Sequence, residues 1–451
     1  MKRILLAVGA LLVVVGVGVA GYAGYLVSQL NTKELQTSLL KQAEATLGTQ
    51  VRVREMDISL LSGVTLHGIT VANPAPFGGE LLTADSFVLR YRLLPLVAGR
   101  FEVERLGLEN PALALAMDAK GGFNYERLGR PPAKGAATAP AAAAPVSAAP
   151  LRIVMKSLAV ENGRVLMNDH AKARLVAVED IDFRSAFEVT GSTAQGAGEV
   201  TIGKANVADV LFMSGVRAPL SMSKERVTLS PIRGELAGGV VSGELKVDLK
   251  GGFGYTTELV VKGARVKTLL EQAGSAAVVS GTLSAKAHFA GKGGLATMRG
   301  QGSADVASCR AENSRVLSLV ATVLQVPELA NPDFESCRVE FKQTGSRFAT
   351  PVVDLTGDAV RLSGRGSLNL DTSGLDYEMT LGLAPKLLAK ITRPELRAGF
   401  KQGGDGFATI DFRLFGTTLE PKTDLLSRVG KAAASGVAKD QVNKLLKKKL
   451  F

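Results

Sequence analysis

From residue 51 onward the chain alternates. Val51 and Val53 are apolar while Arg52 and Arg54 are charged, and stretches 64–71, 86–91 and 101–108 repeat the same period of two. That period predicts strands with one apolar and one polar face. Asn73-Pro74, Gly78-Gly79, Gly99 and Asn110-Pro111 are the expected turns between them. Alternation resumes at residue 151 and continues to about 420. Leu245, Val247 and Leu249 alternate with Glu244, Lys246 and Asp248, and Leu283, Ala285, Ala287 and Phe289 with Thr282, Ser284, Lys286 and His288. Tyr377, Met379, Leu381 and Leu383 share one face, as do Ile410, Phe412 and Leu414. Short helical patterns interrupt the strands at Val266, Leu269 and Leu270, and again at Val316, Leu319, Val320, Val323 and Leu324.

The two ends of the chain read differently. Leu35, Leu39, Ala43 and Leu47 recur every four residues, Asn31 and Glu34 have capping-box spacing, and Gly48 ends the pattern, so residues 31–47 are predicted as a helix. Before it, residues 4–27 run without a charge behind Met1-Lys2-Arg3. At about 1.5 Å per residue such a helix spans a bilayer's hydrocarbon core, and the basic start sends the rest of the chain outward. A cleaved signal peptide has a shorter apolar region, of about 7–15 residues, so the segment is read as an uncleaved anchor; Gly18-Val19-Ala20 is the alternative cleavage site. At the far end, Leu425, Val429, Ala432 and Ala433 share one helical face and Val442, Leu445, Leu446 and Leu450 another, with Ser435-Gly436 between. Residues 131–150 hold five Pro in an Ala-rich run without periodicity and read as a linker. The expected organisation is an anchor (1–30), a helix with strands (31–130), the linker (131–150), a strand body (151–420) and a basic amphipathic tail (421–451).

Composition narrows the function. Aromatics are 5%, Trp is absent and Gly numbers 50 in 451 residues, which suits many strands and tight turns better than an aromatic-lined enzyme pocket. The net charge is +12, and residues 421–451 carry eight Lys/Arg against two Asp, a surplus of six. Basic charge beside a membrane anchor points to lipid surfaces rather than nucleic acid. Lys444, Lys447, Lys448 and Lys449 are the candidate membrane-contact residues, with a solvated or capping helix face as the equal alternative. Cys309 and Cys337 each sit in Ser-Cys-Arg, and their pairing is left open because sequence cannot place two Cβ atoms. His67, His170 and His288 are far apart, with no His or Cys at metal-ligand spacing. No nucleotide-binding, nucleophile-elbow or zinc-protease pattern occurs. The chain is therefore read as a non-enzyme without cofactor or metal. Gly63, Gly99, Gly121 and Gly122 are expected to set turns, and Asp118 and Asn124 to organise a loop by local hydrogen bonds.

Residues 51–128 resemble the AsmA family. The stretch reads strand, then Leu66-x-Gly68-Ile69, the turn Asn73-Pro74, a strand running into Leu93-Leu94-Pro95-Leu96 and Gly99, and a close on Pro111, Asp118, Gly121 and Asn124. Tyr125 stands where the family often has Trp. Toward the end, residues 361–383 and the Gly416-Thr417-x-Leu419-x-Pro421 ending are similar as well. The resemblance implies an inner-membrane-anchored periplasmic protein, mainly β, with an elongated, curled antiparallel β-groove akin to bridge-like lipid transfer proteins, associated with outer-membrane assembly and phospholipid supply. On the alternation alone, a sandwich or barrel with all its apolar faces buried ranks first. On the groove reading, the expected lipid-lining residues are Leu245, Val247, Leu249, Leu283, Phe289, Leu368, Leu370, Met379, Leu381, Ile410 and Phe412. The expected partners are membrane phospholipids, the inner membrane through residues 4–27, and an outer-membrane or envelope protein, with no nucleic acid. The alternative function is an assembly factor for outer-membrane proteins that acts through exposed strand edges.

Overall fold

In the computed structural model residues 32–428 are described, apart from 60–62, 93, 96–99, 120, 130–151, 172, 191–192, 250–253, 276–277, 293–296, 313–314 and 426. The expected anchor 4–27, Asn31, Gly99, the linker 131–150 and the tail from 429, with Lys444, Lys447, Lys448 and Lys449, lie outside the described residues. Among the described residues no helix is long and apolar enough to cross a membrane.

Period-two patterning yields strands throughout, and the protein is mainly β. The helix α1 (Thr32–Leu47) is followed by β1 (Val51–Ser59), β2 (Gly63–Ala72), β3 (Glu80–Arg92), β4 (Arg100–Glu109), β5 (Ala112–Ala116), β6 (Arg152–Asn168), β7 (Arg174–Thr190), β8 (Thr193–Val207), β9 (Leu211–Met222), β10 (Arg226–Leu236), β11 (Gly239–Asp248) and β12 (Gly254–Arg265). Then come α2 (Val266–Gln272), β13 (Val278–Lys292), β14 (Arg299–Glu312), α3 (Arg315–Leu324), β15 (Asp333–Thr344), β16 (Arg347–Thr356), β17 (Val360–Asn369), β18 (Gly374–Leu383), α4 (Pro385–Leu388), α5 (Pro394–Ala398), β19 (Lys401–Gln402), β20 (Ala408–Thr417) and β21 (Pro421–Thr423). The described residues form two compact units: those up to Glu235 with Ser242–Thr256, and Leu236–Val241 with those from Thr257 onward.

In the first unit β1, β2, β3 and β4 pair antiparallel in sequence order, and β6, β7, β8 and β9 continue the ladder. The exception is β6, which lies parallel to both β4 and β5. Parallel neighbours need a long crossover, and residues 117–151 supply it. The expected turn at Asn110-Pro111 is instead a kink in one long strand, because β4 and β5 both pair with β3 and with β6. Helix α1 lies antiparallel to β1: Gln36 Nε2 donates to the Met56 carbonyl at 2.8 Å, and Glu44 Oε1 accepts from the Val51 N–H at 3.1 Å. Its apolar stripe buries Ala43 and Leu47 against Val51 and Val71.

The described start of the crossover, up to Gly129, is organised by the residues expected to do so. Asp118 accepts from the Gly122 N–H at 2.9 Å and pairs with Arg127 at 2.9 Å. Asn124, with no exposed surface, donates to Asn73 Oδ1 at 2.7 Å and to the Ala114 carbonyl at 2.8 Å, so one amide ties the Asn73-Pro74 turn to β5. Gly63 differs from expectation. It opens β2 at φ +135°, and any Cβ there would collide with the Leu89 carbonyl, so close strand approach, not a turn, requires the glycine.

In the second unit β13 to β18 form an antiparallel meander, extended by β20 and β21. Helices α3, α4 and α5 cover part of one face. Leu317, Val320 and Leu324 of α3 join Leu387, Leu396, Phe334, Leu383 and Leu425 in one buried cluster. Cys309 of β14 and Cys337 of β15 are bonded to each other at the margin of this core, with Cα atoms 6.1 Å apart. Ser308, at φ +52°, shifts the side-chain phase of β14 so that Cys309 and Ala311 face the core.

The bridge closes a loop that contains α3. Replacing both Cys309 and Cys337 by Ala is expected to lower the stability of the second unit by about 2–4 kcal/mol. Hydrogen exchange should show lost protection in α3 and β15, with β2 and β3 unchanged.

Candidate functional site

Strands β1 to β7, with β4 and β5 taken as one long strand, share a feature that the alternation alone does not predict. Each shifts side-chain phase at one line across the sheet. On β2, Val64 and Leu66 are buried before the line and Ile69 and Val71 after it, a step of three instead of two. On β3 the step lies between Ala84 and Phe87. It recurs between Leu108 and Pro111, between Val160 and Gly163, and between Val178 and Ile181. The residues on the line are Gly68 (φ +63°), Asn110 (φ +49°), Asn162 (φ +54°) and Asp180 (φ +54°). Left-handed backbone is what glycine, asparagine and aspartate tolerate best, and an extra residue in this conformation bends a strand.

Side chains hold the line together on the outer face. Asn110 Nδ2 donates to Asp85 Oδ2 at 2.8 Å, Asn162 Nδ2 donates to Asn110 Oδ1 at 2.6 Å, and the Asn162 N–H donates to Asp182 Oδ1 at 3.0 Å. On the inner face the bend brings apolar residues from both sides of the line over one space. Phe87, Leu106, Leu108 and Val160 converge there with Leu82, Pro111, Leu113 and Val165. They enclose an apolar cavity of about 260 Å³. Since a cavity of about 150 Å³ holds one benzene, this one has room for about ten carbons of a hydrocarbon chain.

The cavity is closed at one end and less covered at the other. Leu47 of α1 and Tyr125 and Leu128 of the crossover are buried and close it, and the Gly129 N–H donates to the Leu47 carbonyl at 2.8 Å. Tyr125 stacks on Phe123 with ring centroids 5.4 Å apart. Toward β7 the lining becomes half-buried at Val160, Val165 and Ile181. Arg164 is the one charged residue in the lining. Burial, and then the charge of Glu126, raise the Tyr125 phenol above its usual range. Beyond β7 the same face continues as half-buried Val200 and Ile202 on β8 and Val216 and Leu220 on β9.

The second unit carries a different apolar surface. Leu283 and Phe289 of β13 are half-buried on one face, as expected, with Lys286 and His288 exposed on the other. Phe289, Phe341 and Phe348 form a row with centroid spacings of 6.1 and 4.9 Å. Glycines opposite make this possible. Gly300 pairs with Phe289 and Gly302 with Phe341, and a Cβ on Gly302 would come within 2.6 Å of the Phe341 ring. The rings therefore lie across the neighbouring strand.

The sequence-predicted residues fall into separate places. Leu245, Val247 and Leu249 are half-buried in the first unit. Leu368 is half-buried, and Leu370, 41% exposed, sits in the β17–β18 turn. Met379, Leu381, Ile410 and Phe412 are brought together as cross-strand neighbours, but α3, α4 and α5 cover them and they are buried in the core of the second unit. None of the predicted residues lines the cavity. A signal for it was present. Leu-Glu-Asn at 108–110, Val-Glu-Asn at 160–162 and Val-Glu-Asp at 178–180 repeat one tripeptide, and each ends on the left-handed residue.

His288 lies on a mixed polar and apolar hollow with Glu258, 3.6 Å from Nδ1 to Oε1, and with Ser303. No hydrogen bond joins Ser303 to His288 among the described residues. His67 is half-buried in β2, and His170 is exposed.

Residues 1–209 match the model of the AsmA family. That segment holds α1, the bend line and the whole cavity. No curated protein and no solved structure matches the chain.

Two outcomes test the site's construction. Asn162→Ala removes the amide and strains the left-handed backbone, and is expected to cost about 1–3 kcal/mol. Asn162→Gly keeps the backbone and should cost less, as denaturant unfolding would report. The Tyr125 phenol ionises above its unfolded value of 10.0, so its contribution is complete below that pH and fades as pH rises through the folded value. The loss of stability above pH 10 should be smaller in Tyr125→Phe than in the parent chain.

Proposed function

Residues 1–209 belong to the AsmA family, and from that premise we propose that the chain is a bilayer-anchored envelope protein that binds phospholipid acyl chains on its inner sheet faces and passes them on without exposing them to water. The observation that carries this reading is the bend-line cavity. Its lining is apolar except for Arg164 and the Tyr125 hydroxyl, and it is closed at the α1 end. A hydrocarbon chain entering from a bilayer exchanges one apolar surface for another, at nearly even free energy. Exposing about ten methylenes to water instead costs about 8 kcal/mol, at about 0.8 kcal/mol each. Lowering that barrier needs no reacting group.

The half-buried faces of β8 and β9 extend the apolar surface beyond the cavity. Leu283, Phe289 and the row through Phe341 and Phe348 offer a comparable surface in the second unit. The helix-covered Met379, Leu381, Ile410 and Phe412 serve on this reading as the packed base of that unit. Residues 4–27 hold the chain in the inner membrane with its bulk in the periplasm, and the basic tail meets anionic headgroups.

The test is purification of the full chain in mild detergent, followed by mass spectrometry for retained phospholipid. Leu113→Trp with Val160→Trp fills the cavity without adding charge. Retained lipid, and crosslinks from a photoactivatable acyl chain to β5 and β6, should fall several-fold at unchanged thermal stability. Undiminished crosslinking to β5 and β6 in the filled variant would remove the cavity from the mechanism.

A further inference from the structure

Leu94 is 88% exposed, the most exposed large apolar side chain among the described residues. It sits in the β3–β4 connection, whose sequence from Leu93 to Gly99 contains no charge. Arg92 and Arg100 bracket this connection, and both are exposed. Leu94 is surrounded by water at a position where a polar residue would serve a simple turn better.

Its place in the fold gives it a partner. At the same strand ends β1 finishes at Ser59 and β2 begins at Gly63, which pairs with Arg90. Because α1 runs antiparallel to β1, with Gln36 bonded to Met56 and Glu44 to Val51, the N-terminus of α1 lies at this end too. The charge-free residues 4–27 precede Thr32 by only a few positions. The exposed Leu94 and the point from which the apolar segment departs therefore share one end of the first unit. The opposite strand ends, at Val210, lead away from it.

We propose that this end of the first unit is a second membrane contact. Leu94 enters the interfacial layer of the bilayer that holds residues 4–27, with Arg92 and Arg100 at headgroup depth. The inference rests on residues 4–27 spanning the bilayer but not on the cavity binding lipid. It fixes which edge of the sheet faces the bilayer, which a single flexible tether would leave free.

The full chain in vesicles of phosphatidylethanolamine and phosphatidylglycerol provides the test. Cys309 and Cys337 are bonded, so single cysteines can be labelled with an environment-sensitive fluorophore. The positions are Leu94→Cys, Val210→Cys and, within the apolar segment, Val13→Cys. With brominated acyl chains in the vesicles, the labels at 94 and 13 should lose most of their emission while the label at 210 keeps it. A quenched label at 13 beside an unquenched label at 94 overturns the proposal, as does equal quenching at 94 and 210. An unquenched label at 13 overturns it as well, because the bilayer is then not held there. Lipid retention, measured on the same samples, reports on the cavity separately.

Discussion

The first unit depends on one constraint: a sheet with a single apolar face can bend sharply over that face only if every strand changes side-chain phase at the same line. A strand that failed to step would turn its next apolar residues outward and its charges inward. Gly68 in β2, Asn110 between β4 and β5, Asn162 in β6 and Asp180 in β7 meet this requirement with positive φ, while β3 steps between Ala84 and Phe87 without a left-handed residue. The Asp85–Asn110–Asn162–Asp182 hydrogen bonds couple the steps, so that β3 to β7 bend as one. The cavity is a consequence of that bend. Leu108 and Leu113, or Val160 and Val165, lie five residues apart on one strand and yet face the same space.

Much of this architecture was legible in the alternation. The strands, α1 with Ala43 and Leu47 on its buried stripe, and the short helices at 266–272 and 315–324 follow from periodicity. The loop role of Asp118 and Asn124 also holds. The cavity was not legible as a run of lining residues, because the phase step breaks the period that marks a lining. Only the repeated Leu-Glu-Asn, Val-Glu-Asn and Val-Glu-Asp tripeptides mark it. Nor could alternation distinguish Leu283 from Leu381. Both sit on apolar faces of regular strands, but α3, α4 and α5 pack over one and leave the other half-buried. Cover is decided by elements distant in sequence, and a period of two carries no information about them.

Composition acquires a physical meaning in the same way. Many glycines with few aromatics first suggest turns. In the sheets several glycines instead stand directly across from a ring: Gly196 from Phe187, Gly300 from Phe289, Gly302 from Phe341 and Gly366 from Tyr377. The rings of Phe289, Phe341 and Tyr377 lie over the glycine opposite and cover a position without a side chain. The result is a low apolar floor instead of a palisade of branched side chains, made with few aromatic residues.

The sidedness of the sheets is enforced by charge as much as by oil. Across the outer faces Arg413 meets Asp376 at 2.8 Å, Arg365 meets Glu378 at 3.2 Å and Arg226 meets Asp248 at 2.9 Å, all exposed. Such pairs add at most about 1 kcal/mol each. Turned inward, they would incur desolvation costs of several kcal/mol per ion. The inner face is thus held apolar by exclusion. Water gains little there, since an ordered water needs two to four polar partners and, apart from Tyr125 and the exposed Arg164, the residues lining the cavity have apolar side chains or none. A space that water occupies poorly, lined by aliphatic side chains, favours a hydrocarbon occupant on solvation grounds alone, before any specific recognition is invoked.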